Sequence, residues 1–390
     1  MLQKNNLVKN LSYGITAYLF VFSYSLCFAV SLQLNIWYAL TTAIISIIVS
    51  VSLKKQIFAP DTFFIVPLLL VLASGTNALL PFTVIGGGLI FLFLNKKSEK
   101  LTLHPAVKSG LSLSLAFAVT ALLTTHYFGI GAEGFTVIEI LKTYRSLGFH
   151  PNWRGVFFGT VTLFAMITYP FKFRKANKYL PAESFALILP LVLNLILNPD
   201  KNYTPINEVS TLSDFITQDK LSFFLPSFND EFLFSQEAYI NAFQSAAALG
   251  LLLLFFSKEK TRTDSQGTAT ILNGISGGFP VRAFEIRGYS VVSAIFAVFL
   301  VIYSSFFLED IIARIPVHSL AVVLIVNAWK QVPWGEISTS FKKGFLSIIS
   351  LVLIFVISIF TNIFITLVVA IVLNILLSLK TKMKGGAENG

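Results

Sequence analysis

Apolar runs separated by short polar joints recur from residue 11 to residue 380. They fall at about 11–32, 35–53, 61–74, 78–95, 104–129, 154–171, 178–198, 236–257, 266–276, 281–288, 289–308, 312–328, 341–359 and 361–380. A helix needs about 20 residues to cross a ~30 Å hydrocarbon core, so most of these runs read as spans. The pattern predicts an all-α membrane protein of fourteen transmembrane segments. Three runs are too short to cross as helices: 61–74, and the pair on either side of Gly277-Gly278-Phe279-Pro280. Short segments broken by glycine and proline point to discontinuous helices, expected here at segments 3 and 10. The first run, from Ser12 to Leu32, exceeds the ~7 to 15 residues of a signal-peptide core and has no small-residue cleavage site, so it reads as a retained span.

The joints carry the second signal. Every other one is basic: Lys4 and Lys9, Lys54-Lys55, Lys96-Lys97 with Lys100, Lys172 to Lys178, Lys258 to Arg262, Lys330 with Lys342-Lys343, and Lys380 to Lys384. The alternate joints are neutral or acidic. The long one after Asn198 carries Asp200, Glu208, Asp214, Asp219, Asp230 and Glu231. Positive joints stay on the cytoplasmic side, so the pattern predicts an even number of spans and both termini inside. A short segment stands third in each set of seven, and seven is odd. The two halves would therefore run in opposite directions as an inverted repeat with a site at the midplane.

Composition narrows the chemistry. Hydrophobic residues make up 55% of the 390 positions and charged ones 12%, about half the ~25% of a soluble domain. The net charge of +10 lies in the joints and is expected to face the cytoplasm, not a nucleic acid. Cys27 is the only cysteine, and His104, His126, His150 and His318 show no ligand spacing, so neither a disulfide within the chain nor a metal site is expected. No paired acid and base and no phosphate loop appear, which argues against an enzyme and predicts no cofactor.

Against that background Arg282, Glu285 and Arg287 stand within six positions. An arginine at the bilayer centre costs from ~3 to more than 10 kcal/mol and so belongs beside a cavity or a partner. Pro280 suits the first turn of a half-helix, and two half-helix N-termini facing each other would form an anion site to which Arg287 adds a full charge. Glu285, three residues after Arg282, could form a helix-face ion pair with it or serve as a protonatable group. A surface turn is the competing reading of the whole stretch. Asp61 poses the same choice between an N-cap and a pathway carboxylate.

The residues resemble the SulP family, the sulfate permease type of anion transporters. QGTATILNGISGGFP (266–280) is similar to the run that leads into the family's tenth segment, and IPVHSLAVVLIVNAWKQVPWGEI (315–337) to its twelfth. HPAVKSGLSLSLAFAV (104–119), LCFAVSLQLNIWYALTTAI (26–44) and APDTFF (59–64) resemble earlier segments more weakly. The resemblance implies two intertwined inverted repeats of seven segments. A core domain (about 11–95 and 236–308) would slide against a gate domain (about 104–198 and 312–380) that also forms homodimers. It implies a multi-pass protein whose partners are the lipid bilayer and a small inorganic anion such as sulfate, bicarbonate or chloride, and richness in Lys, Ile, Asn and Phe points to a bacterial inner membrane. Residues expected around the anion are Arg287, Phe284 and Glu285 in the tenth segment, Asp61, Thr62 and Phe63 in the third, Gln244 in the eighth and Tyr24 in the first. Gln244 stands where many bacterial members carry an acid, and no cytoplasmic STAS domain is expected after the last span. A related family of this fold moves nucleobases with a carboxylate near segment ten, so Glu285 leaves that substrate class open, as the altered site leaves open a scaffold that no longer transports.

Overall fold

The computed structural model describes residues 4–52, 56–72, 77–97, 103–130, 136–197, 211–212, 235–256, 264–285, 290–342 and 344–387. The acidic joint lies outside them except for Thr211 and Leu212, and so does Arg287.

Helices dominate, as the apolar runs require: a backbone without water must satisfy its polar groups internally. The first stretch comprises α1 (Lys4–Ser31), α2 (Ile36–Ser52), strand β1 (Gln56–Pro60), a 3-10 turn (Thr62–Phe64) leading into α3 (Ile65–Leu72), and α4 (Leu80–Lys97). Next come α5 (Pro105–Phe128), α6 (Val137–Leu147), α7 (Trp153–Lys172) and α8 (Ala182–Leu197). The second half opens with α9 (Gln236–Phe256), α10 (Asp264–Ile275), strand β2 (Val281–Glu285), α11 (Val291–Phe307) and α12 (Glu309–Ile312). It closes with α13 (Val317–Lys330), α14 (Trp334–Lys342), α15 (Phe345–Phe360) and α16 (Ile363–Ala387). Among the described residues, α1, α5, α7 and α9 are long and apolar enough to cross a membrane, and seven shorter apolar helices accompany them. Large apolar side chains such as Phe164, Phe171, Phe243, Phe307 and Phe345 lie on the exterior, an arrangement suited to lipid and costly in water.

Packing divides the helices into two groups. In one, α4 lies against α9 and α10, and α11 against α1 and α2. In the other, α5 contacts α13, α14 and α15, while α7 contacts α8 and α13. Small residues allow these approaches. A Cβ on Gly14 would sit 2.6 Å from the Ser293 carbonyl oxygen of α11, and one on Gly155 would run into Nε2 of His318. Membrane helices lack a hydrophobic drive toward one another and gain most from such close van der Waals contact.

Two features depart from the expected layout. The chain is not purely helical: β1 and β2 pair antiparallel, Gln56 opposite Glu285 through to Pro60 opposite Val281. Of the run 281–288, expected as a half-helix begun by Pro280, residues 281–285 form a strand instead, and the rest of the run lies outside the described residues, which resume at Ser290, the N-cap of α11. In addition, α6 and α14 are amphipathic helices that no apolar run announced, α6 being closed by a capping box between Thr136 and Glu139.

Candidate functional site

The strand pair forms because residues 281–284 alternate. Val281 and Ala283 pack with Phe58, Val49 and Ala269 on one face, while Phe284 joins Ile57 and Ala59 on the main core side. Arg282 shares that second face, opposite Ala59. The helix-face pairing expected of Arg282 and Glu285 presumes a helix, and residues 281–285 form a strand instead. The strand ends are tied to helices by hydroxyls, as the apolar surroundings demand. Ser50 Oγ accepts from the Phe58 N–H at 3.1 Å, Thr42 Oγ1 from the Phe279 N–H at 2.8 Å, and Thr270 Oγ1 donates to the Val281 carbonyl at 3.2 Å. Gly277 takes a left-handed conformation (φ 76°) to end α10, and Gly278 lies so near Thr42 and Asn273 that a Cβ there would meet Thr42 Oγ1 at 2.8 Å. Gly277 serves the left-handed turn and Gly278 the close packing.

Asp61 caps the half-helix after β1. Its Oδ1 accepts from the Phe63 N–H at 3.0 Å, and its backbone is extended at φ −105°, ψ 136°. The same carboxylate meets a cation. Arg282 Nη1 donates to Asp61 Oδ2 at 2.6 Å, with Asp61 1% and Arg282 15% exposed. Gln331, at the C-cap of α13, completes the group: its Oε1 accepts from Arg282 Nη1 at 3.1 Å and its Nε2 donates to Asp61 Oδ1 at 3.2 Å. Aromatic rings close one side. Phe284 stands edge-on to Phe20 at 5.2 Å and 6.3 Å from the ring of Tyr24, with the guanidinium carbon of Arg282 6.0 Å from its centroid.

The structure therefore brings together Asp61, Phe284 and Tyr24 from the expected set. Thr62 lies beside Asp61, fully buried, with no hydrogen-bond partner for its hydroxyl. Phe63 turns into the core against Phe256, ring centroids 5.1 Å apart. Gln244 is elsewhere: its Oε1 accepts from Asn362 at 3.1 Å, and it lines a separate groove with Tyr239, Phe243 and Phe364. Arg287 and the Glu285 side chain lie outside the described residues. The half-helix begins at the Pro60–Val281 end of the ladder, and β2 ends at the Gln56–Glu285 end, about 13 Å away along a strand. Sequence reasoning missed Gln331 and the pairing role of Arg282. The alternation Val281-Arg282-Ala283-Phe284 was the available signal for the second; for Gln331 there was only its place after the apolar run of α13.

Paired strands buried among helices, one of them feeding a half-helix capped by an acid, with an apolar exterior and helices long enough to span, are those of an integral membrane protein. Solved structures share its fold. Over 95% of this chain and 98% of the other, the fold matches the transmembrane domain of a cyanobacterium bicarbonate transporter, BicA, at 18% identity and a TM-score of 0.67. SLC26A9 matches over 98% of this chain at 11% identity and a TM-score of 0.75, and murine Slc26a9, an anion transporter in the inward-facing state, over 97% at 10% identity and 0.76. The chain spans 66% and 69% of those two structures. No protein-family model and no curated protein sequence matches, so the likeness is one of fold, and it is the fold that the resemblance in residues 266–337 implied.

Proposed function

We propose that the chain is a secondary transporter of a small inorganic anion, of the bicarbonate, sulfate or chloride class and the SulP type. Its anion would bind at Arg282 beside Thr62 and the start of the half-helix. Arg287, two residues past β2, is a proposed second source of positive charge. The observation that carries this reading is the Arg282 guanidinium, 15% exposed on a strand pair at the heart of a fold shared with a bicarbonate transporter. A cation placed so deep needs a negative partner. Asp61 supplies it at rest, and a substrate anion would compete for it. The group holding α1–α4 and α9–α11 is proposed as the moving core of an elevator, and the group of α5–α8 and α13–α16 as its gate and homodimer surface. Both termini would lie in the cytoplasm, with the protein in a bacterial inner membrane.

Uptake of labelled bicarbonate, sulfate and chloride into proteoliposomes tests the proposal. Wild type is expected to exceed empty vesicles for at least one anion, and Arg282→Ala to lower that uptake about 10- to 100-fold, the value of a lost charge-assisted contact. One observation favours a second reading. Asp61 already balances Arg282, and the rings of Phe20, Tyr24 and Phe284 beside the neutral pair suit contact with a planar uncharged solute. Binding of uracil that none of the three anions displaces would replace the first reading with that one. Uptake of neither class would mark a scaffold that keeps the fold without transport.

A further inference from the structure

Gln331 is fixed in place before it touches the ion pair. Its own N–H is held by the Ala328 and Trp329 carbonyls. Trp329 stacks on Trp334 at 5.8 Å and 6°, and donates its indole N–H to Thr120 of α5 at 2.8 Å. The turn after α13 is thus anchored within the second helix group. From there the amide reaches across the boundary to Arg282 and Asp61, which belong to the first group. A primary amide is suited to this position because it accepts from the guanidinium and donates to the carboxylate at once; a carboxylate could not donate, nor an ammonium accept. Other side-chain bonds among the described residues cross the same boundary, including Thr16 to the Tyr179 carbonyl at 3.0 Å, Ser23 to Ser184 at 3.1 Å, Ser184 to the Leu19 carbonyl at 2.9 Å and Asn362 to Gln244 at 3.1 Å, and none of these touches the ion pair.

We propose that Gln331 is a positioning residue that makes docking of the two helix groups depend on occupancy of the site. The inference rests on the reading that an anion binds at Arg282. With the site empty, Arg282 and Asp61 both hold Gln331, and the groups are clasped. An anion on the guanidinium takes up the donor that Gln331 and Asp61 share, the amide loses its charged partner, and the first group is free to move. Binding energy at the substrate is thereby converted into release of a contact that only the empty state makes.

The test uses the full chain in nanodiscs with Cys27→Ala and spin labels at Phe243→Cys on α9 and Ile375→Cys on α16, both exposed positions. Dipolar distance distributions are recorded without anion and with saturating chloride, bicarbonate or sulfate, alongside uptake kinetics. Wild type is expected to show one distance without anion and a second with it. Gln331→Met, which keeps the volume and removes both hydrogen bonds, is expected to raise the second population about tenfold without anion, as loss of a charge-assisted bond dictates. Gln331→Glu places another carboxylate on Arg282. It is expected to suppress the second population even with anion and to raise KM about tenfold. Transport and anion-driven movement in wild type, with both variants indistinguishable from it, would overturn the role of Gln331 while leaving the transport reading intact. Absence of uptake and of any anion-driven change in wild type would bring down both.

Discussion

At the scale of single residues, the Asp61–Arg282 pair decides the character of the site. Two charges taken from water repay their desolvation only when each keeps the other, so removing one is far worse than removing both. Asp61→Ala and Arg282→Ala should each destabilise the protein by about 3–5 kcal/mol, and the double variant by clearly less than their sum. Thermal unfolding in detergent of the four proteins of this cycle checks it; additive losses would mean that the two side chains do not depend on each other. Asp61→Asn keeps a good capping residue and removes the competing charge. It should tighten anion binding about tenfold, read by equilibrium binding of labelled anion. The cap at Asp61 was legible from its place after Pro60. Its partner was not, because Arg282 lies 221 positions away and a helical reading of 281–288 turned attention to Glu285.

At the scale of elements, the crossing strands depend on hydroxyls from neighbouring helices. Ser50→Ala orphans the Phe58 N–H and Thr42→Val the Phe279 N–H, each at a cost of about 1–3 kcal/mol where water is excluded. The helix contacts are equally specific. Gly155→Ala drives a methyl group into the His318 ring and should cost about 1–3 kcal/mol, a loss that His318→Ala relieves. Unfolding temperatures of the two single variants and the double settle that; no rescue would place the strain in the backbone. Long helices such as α1 and α5 were legible because twenty apolar residues admit few alternatives. The strand β2 was not. Five residues with two charges fit either period, and what selects the extended form is pairing with β1, a contact invisible along the chain. The half-helix after β1 was foreseen at about its observed place. Its expected counterpart over 281–288 is a strand at 281–285, because the Gly277–Pro280 signal marks a break in a helix without stating what form the chain takes after it.

At the scale of the whole molecule, composition and spacing sufficed for a multi-pass membrane protein with broken segments, and the fold of a bicarbonate transporter's membrane domain over 95% of the chain agrees with them. The chemistry was harder to see. Convergence of β1, β2, α1 and α13 on one arginine arises from the way two helix groups interlock, and the linear spacing of the charged residues does not encode it. The proposed transport requires that a solute anion take the Arg282 guanidinium from Asp61. Anomalous diffraction from crystals grown in bromide measures this directly. A bromide peak within about 4 Å of the guanidinium, with Asp61 turned away and the peak lost in Arg282→Ala, is the predicted result; bromide bound elsewhere while the ion pair to Asp61 stays closed would contradict it.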